Sequence, residues 1–460
     1  MKRNFFTGFM TVFFVLTIFS FAPGEAFAQP KKAKKLVEDG NKMFARQNYQ
    51  GAVDKYAEAI VIAPKYADAY FWKGTSHYYL EQFEQGIKDL SNALTFGYKK
   101  PLEIYKLRGY MNLQQQNYDA ALIDATEASK IEPSNIVFVT AMGEAYLGKK
   151  DWENAITTYQ RASQLAPQNG DINYFLAFSY SQTGNVKEQG TFAAEAIKKG
   201  TRYVGEAYYL YGDAQQKARN QEDAIQAFER SLSAKPDIYA TYSALSELYR
   251  NQGRFQDAIA TTLRGLENFP NDGGLYVNLT WYYSLADKHV DAIQAGQNAV
   301  KYAPNNATGY TNLCRAYNDT KQYSSAIETC NKALAILPDD GETNFYLGRS
   351  YSFLNREDTA KKYYAKAVTG LIKFTNENPD YSDGFYLLGN AHFANGNRDK
   401  AIEAYRQCLN LSPRFSKAKV NLGYIYFLKG DTQAARQQYD ELKKFDNLNA
   451  ERLKQLMEQK

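Results

Sequence analysis

Apolar residues recur along most of the chain at three- and four-residue spacing, and a short polar break interrupts each run about midway. That spacing places the apolar side chains on one helical face, so the pattern predicts pairs of amphipathic helices joined by tight turns. Around Gly143 the stripe reads Val139, Met142 and Tyr146, then beyond the break Ala155, Tyr159, Ala162 and Pro167. The same frame returns as Phe385, Leu388, Gly389, His392, Ala401, Tyr405, Cys408 and Pro413, and again as Tyr208, Tyr211, Gly212, Ala224, Phe228 and Pro236. The breaks carry Gly148-Lys149-Lys150-Asp151 in one copy and Asn395-Gly396-Asn397 in another. Their Gly and Asn residues are expected to end the first helix and begin the second. Proline then closes the second helix, since it can neither donate nor continue.

The closing prolines are periodic. Pro133 to Pro167, Pro236 to Pro270, Pro270 to Pro304, Pro304 to Pro338 and Pro379 to Pro413 are each 34 residues apart. A period of this length marks a stacked array in which each unit touches only its neighbours, so the chain is not divided into the three ordinary domains its length suggests. Small residues at Gly143, Ala155 and Ala162 let the paired helices approach, while Tyr159 fills the seam with the next unit.

This frame, W-x2-L-G-x2-Y…A-x3-F…P at 34 residues, resembles the tetratricopeptide repeat. Units begin near Ala33, Ala67, Leu102, Ile136, Gly170, Gly205, Tyr239, Gly273, Ala307, Gly341, Ser382 and Ser416. The resemblance implies an all-α, right-handed superhelical solenoid of about twelve helix-turn-helix units over residues 29–448. Irregularity is expected at 170–204, where Ala177 and Gln189 replace the small frame residues and the proline is missing. It is also expected at 341–381, where Pro338 to Pro379 is 41 residues and Leu371-Ile372-Lys373-Phe374 reads as part of two extra helical turns. Residues 449–460 read as a polar capping helix, which a solenoid end needs.

The first residues form an address. Lys2 and Arg3 precede an apolar stretch from Phe5 to Ala22, and Ala26-Phe27-Ala28 follows the break at Pro23-Gly24. This is the layout of a Sec-type signal peptide, residues 1–28, with Gln29 as the new N-terminus. It places the protein in the periplasm or outside the cell, in a two-membrane bacterium, with membrane contact only through the signal peptide before cleavage.

Charge and composition exclude other classes. The net charge is +5 from 55 basic and 50 acidic residues, interleaved, which is not the footprint of a nucleic-acid binder. There are three cysteines, too few for a disulfide framework. Cys314 and Cys330 lie on the two helices of one unit. A bridge needs Cα atoms roughly 4.4–6.8 Å apart, whereas packed helix axes lie about 8–10 Å apart, so these thiols are expected to be free unless they sit at the closest crossing. Catalytic chemistry is absent. His77, His289 and His392 stand in separate units, and no metal-ligand spacing, P-loop or nucleophile motif occurs, so no enzyme activity, cofactor or metal is expected. The run Lys31-Lys32-Ala33-Lys34-Lys35 reads as a solvated end.

A concave face lined by the first helices of all units is what the family resemblance implies. The residue after the glycine position is not used by the packing frame. It reads Glu144, Phe178, Asp213, Glu247, Trp281, Arg315, Arg349 and Asn390 along the middle and end of the array. Aromatics and a few charges in a groove suit a peptide segment or helix of another protein, and the expected function is a non-catalytic protein-binding scaffold or adaptor of the cell envelope. The other reading is a polysaccharide- or peptidoglycan-associated factor whose Tyr-rich groove stacks on sugars, with a glycan as partner. Arg315 and Arg349 suit fork-like bonding to carboxylates. Pairing with the neighbours Asp319 and Glu342 is the alternative.

Overall fold

The computed structural model describes residues 29–458, and the predicted signal peptide lies outside them. The described residues form twenty-five α-helices and no strand. They separate into two compact units, one ending at Lys235 and one beginning at Pro236.

In the first unit the chain runs α1 Lys31–Ala45, α2 Tyr49–Ile62, α3 Ala67–Tyr79, α4 Phe83–Thr95, α5 Pro101–Gln114 and α6 Tyr118–Ile131. It continues with α7 Ile136–Gly148, α8 Trp152–Leu165, α9 Gly170–Thr183, α10 Val186–Lys198, α11 Val204–Lys217 and α12 Gln221–Ala234. The second unit comprises α13 Tyr239–Asn251, α14 Phe255–Asn268, α15 Gly273–Leu285, α16 His289–Tyr302, α17 Ala307–Asp319 and α18 Tyr323–Ile336. Then follow α19 Gly341–Phe353, α20 Glu357–Glu377, α21 Ser382–Ala394, α22 Arg398–Leu411, α23 Ser416–Leu428, α24 Thr432–Lys443 and α25 Asn447–Glu458. Odd-numbered helices up to α23 start within two residues of where the frame places the first helix of each repeat. Each packs on its own partner, and within each unit the second helix of a pair packs on the first helix of the next.

Within a repeat the two helices cross at the glycine. A Cβ on Gly143 would lie 2.6 Å from the ring of Tyr159, and one on Gly389 would lie 2.5 Å from the ring of Tyr405. Neither distance is physical, so the second-helix aromatic occupies the space a side chain would need. Tyr159 is fully buried, and its ring also stacks on Phe175 of the next repeat at 5.2 Å. One aromatic thus closes its own repeat and the seam beyond it.

The turn between paired helices differs from expectation in one respect. It is built by a left-handed residue, and that residue is mostly not glycine: Gln47, Glu81, Gln116, Lys150, Arg219, Asp287, Lys321 and Asn355 all take positive φ, against Gly184, Gly253, Gly396 and Gly430 in the others. In the Gly148–Asp151 break the helix runs through Gly148 and Lys150 turns it. The turn is held by crossed backbone bonds, Lys150 N to Leu147 O at 3.0 Å and Asp151 N to Tyr146 O at 2.9 Å, so two otherwise orphaned carbonyls are satisfied. That gain offsets a strain on the order of 1 kcal/mol for a side chain in this conformation. Gly97 and Gly200 end the second helices of two repeats that lack a closing proline.

The irregular segments have definite structures. Gln189, in place of a small residue, is fully buried and donates to Leu210 O at 2.8 Å and to Asp213 Oδ2 at 2.7 Å. Helix α20 has 21 residues where its counterpart α22 has 14, and its added turns bury Leu371 and Thr375. Gly341 and Gly370 allow the backbones to touch there, since a Cβ on either would lie 2.5 Å from backbone atoms of the other segment. At the C-terminal end α25 lays Ala450 and Leu453 on Val420 and Leu442, with Leu453 over Gly423.

One expectation is overturned. Cys314 and Cys330 are disulfide-bonded, with Cα atoms 5.4 Å apart. They occupy the glycine position and the aromatic position of their repeat, the pair that meets at the closest crossing, where helix backbones come much nearer than average axis spacing implies. Cys408 remains free and buried. Denatured, unreduced protein is therefore expected to titrate one thiol rather than three. The bridge closes a 16-residue separation, worth about 3 kcal/mol. Reductant should accordingly speed amide exchange in α17 and α18, and Cys314→Gly with Cys330→Tyr should restore protection without the bridge.

Candidate partner-binding surface

The eight residues singled out along the first helices fall into the two units and are described there separately. In the first unit Glu144 is buried on α7, 8% exposed. Burial pushes its carboxyl up to about 7, with Arg202 partly opposing the shift. Phe178 on α9 meets Trp152 edge-on at 6.1 Å. Asp213 on α11 accepts from Gln189 and, at 2.7 Å, from Lys217. The degenerate repeat thus supplies the partner for the next candidate residue.

In the second unit Trp281, Arg315, Arg349 and Asn390 come together. They line one cavity of about 460 Å³ with residues of α15, α17, α19, α21, α23 and α25. The Arg315 guanidinium lies 3.6 Å over the Trp281 ring, and Tyr346 stands 5.2 Å from it. Arg315 is almost fully buried and pairs with Glu342, while Arg349 pairs with Asp319 at 3.1 Å. Both arginines therefore have the acidic neighbours that the sequence offers them. Asn390 accepts from the Tyr405 hydroxyl at 2.6 Å and from Asn421 at 2.8 Å.

Glu247 does not line the cavity. It pairs with Arg250, whose Nη1 reaches Asp383 Oδ2 at 2.9 Å, 133 residues further along the chain. Arg250 and Asp383 side chains are only 7% and 10% exposed, and the guanidinium lies 5.7 Å from the Tyr381 ring. A second link joins Lys417 Nζ to Asp287 at 3.7 Å. The concave face of this unit is thus crossed by side chains from α13 to α21 and from the turn after α15 to α23. Sequence reading missed Arg250, Asp383, Asp287 and Lys417. Asp383, Tyr386 and Asn390 share a helical face at three- and four-residue spacing, so the start of each first helix could have been read together with the position after the glycine.

No group of three or more His, Cys, Asp or Glu among the described residues is arranged to hold a metal ion. None of the described helices is long and apolar enough to cross a membrane.

Sequence profiles described as tetratricopeptide repeat match residues 209–273, 285–343, 342–369 and 386–450, and a TPR repeat profile matches 40–80 and 143–184, together more than half of the chain. The chain belongs to the tetratricopeptide repeat family. Similar curated members include a "DnaJ homolog subfamily C member 7 homolog" of Dictyostelium discoideum, 25% identical over 47% of this chain and 41% of that protein. The "Small glutamine-rich tetratricopeptide repeat-containing protein 2" of Saccharomyces cerevisiae is 29% identical over 29% of this chain and 36% of its own. The "Dynein axonemal assembly factor 4" of Rattus norvegicus is 30% identical over 24% and 28%. This tetratricopeptide repeat chain spans about two fifths or less of the length of these relatives. Among solved structures, yeast Tom70 aligns with a TM-score of 0.40 at 14% identity over 93% of this chain and 95% of that one. MamA aligns with a TM-score of 0.33 at 25% identity over 36% and 96%.

Two measurements check this surface. Glu144 has a raised folded-state pKa, so above pH 7 its buried charge opposes folding. As pH falls from 7 towards 4.5, the native state binds a proton that the unfolded chain does not, and stability rises. Glu144→Gln is expected to stabilise the first unit at pH 8 by on the order of 3 kcal/mol at most, and to change little at pH 4, read by urea unfolding at both. In the second unit Arg250→Met should leave Asp383 buried without its partner, costing about 3 kcal/mol, and should loosen α13 and α21 together in hydrogen exchange. Adding Asp383→Leu should recover most of the loss.

Proposed function

We propose that this protein is an exported, non-catalytic scaffold of the cell envelope that holds a segment of another protein against the inner faces of its first helices. The observation that carries the reading is the composition of those faces. Phe178, Asp213, Trp281, Arg349 and Asn390 stand at one register of the repeats, and although Phe178 also meets Trp152 and Asn390 accepts from the frame tyrosine Tyr405, all five remain partly exposed. Aromatic and Arg side chains on a rigid support are the residue types that dominate partner recognition. Family membership supports protein binding as the class of activity, and one matched relative is named an assembly factor.

Export rests on different observations. The sequence of residues 1–28 has the layout of a cleaved signal, and a disulfide between Cys314 and Cys330 suits an oxidising compartment such as the periplasm of a two-membrane bacterium. The cross-bridged face of the second unit favours a short segment there over a long helix.

The test places a photo-crosslinking amino acid at Phe178 or Arg349, on inner faces, and at the exposed outer residues Val61 or Val290. Each inner position, taken on its own, is expected to capture a partner from the periplasmic fraction through a defined segment, from protein whose mass begins at Gln29. Equal capture from Val61 and Val290, or none from the inner positions, overturns the scaffold reading.

A further inference from the structure

The cavity of the second unit has features that partner capture on an open face does not require. Its volume, about 460 Å³, is in the usual range for small-molecule sites, roughly 300–1,000 Å³. Side chains cross the concave face beside it, Asp287 to Lys417 at 3.7 Å and Arg250 to Asp383 at 2.9 Å. These links convert a groove into a pocket.

The wall of this pocket holds polar atoms without partners. Four buried side-chain atoms of three residues that line this cavity make no hydrogen bond: Ser284 Oγ, His289 Nδ1, and Arg315 Nε and Nη1. The Arg315 side chain is 5% exposed, and its pairing with Glu342 uses only Nη2. Leaving such groups unmatched costs about 1–3 kcal/mol each, so a cluster of them in one wall calls for a partner. Ser and Arg contribute donors here, so the complement is an acceptor.

Charge points the same way. Every carboxylate in the wall already has a cation: Asp319 has Arg349, Asp383 has Arg250, and Asp287 has Lys417 with His289 at 4.0 Å. Arg452, exposed on α25 and also lining the cavity, has no ion pair among the described residues and is the surplus positive charge. The remaining wall is aromatic, with Trp281, Tyr346, Tyr386 and Phe415.

We infer that this pocket binds a compact organic oxyanion, a carboxylate or phosphate ester carried on a ring, with the anionic group at Arg315, Ser284 and Arg452 and the ring among the aromatics. The pocket shares Trp281, Arg349 and Asn390 with the face proposed to hold a protein segment, but the oxyanion is assigned to Arg315, Ser284 and Arg452, so the two readings are tested by different residues. The bound anion would neutralise the surplus charge and, after a small turn of the Arg315 and Ser284 side chains, whose unmatched donors have almost no accessible surface here, would accept from those donors. It would also tie α25 to α15 and α17, giving the scaffold a small-molecule input.

Isothermal titration calorimetry of the intact mature chain with phenyl phosphate, phenylacetate and the neutral, size-matched benzyl alcohol tests this. One-site saturable binding of at least one of the two anions, and none of benzyl alcohol, is expected. Ser284→Ala and Arg452→Gln should each weaken that binding about tenfold, the effect of one lost hydrogen bond to a charged group, with unchanged thermal midpoints. Arg315→Met should abolish it, and should Arg315→Met fail to fold, the other two variants carry the test. No binding of either anion, binding equal to that of benzyl alcohol, or binding untouched by Ser284→Ala and Arg452→Gln overturns the inference. Binding only of an extended free-acid peptide also overturns it, and assigns these residues to the partner groove instead. Crosslinking from Phe178, which lies outside this pocket, reports on the scaffold reading alone.

Discussion

The contact between the small residue of a first helix and the side chain facing it on the second, a glycine under an aromatic at Gly40, Gly143, Gly212, Gly348 and Gly389, sets the geometry on which every larger feature rests. Two helices can approach this closely only if one contributes no side chain at the crossing, and the aromatic that enters the gap is long enough to reach the following repeat as well. Tyr159, lying on Gly143 and stacked on Phe175, couples pairing within a repeat to stacking between repeats. The molecule varies this contact rather than abandoning it. Ala177 and Ala193 make a thinner version in the degenerate repeat, where the buried Gln189 adds hydrogen bonds to the next repeat. Cys314 and Cys330 make a covalent version. At the end of the chain Leu453 reaches Gly423 from α25, so an apolar group from outside the repeat covers the last glycine.

Much of this was legible in the sequence because it depends on local periodicity. Helix pairs, their starting residues and the two added turns near Leu371 follow from spacing alone. The turn was less legible. Its left-handed residue is set by crossed backbone hydrogen bonds, and those bonds tolerate Lys150, Glu81 or Arg219 where a reader looks for glycine. The disulfide was misread because an average axis separation stood in for the local approach at a crossing that both cysteines occupy.

The candidate surface divides along the same line. Placing Trp281, Arg315, Arg349 and Asn390 on a shared face required only the register of the repeat, and they do share a cavity. Glu247 could not be placed in that way. Its role is set by Arg250, whose other partner, Asp383, is 133 residues distant, and no pattern in either helix announces a pairing across the face. Likewise, Glu144 and Arg315 share a register and are both buried. Arg315 lies against Glu342 and Trp281, whereas burial pushes the Glu144 carboxyl up, and such surroundings are not a property of register.

The long helix α20 bears on how such a chain can change length. Its seven added residues are close to two helical turns, so the apolar stripe returns to within about 20° of its starting direction. Leu371 therefore falls on the buried face prepared by Tyr364 and Ala367, and the following repeat meets a surface pointing the same way. An addition of five residues would swing that surface towards solvent. Growth of an array inside a helix is thus quantised by the pitch of the helix itself, and the permitted steps are the ones that leave the next interface in phase.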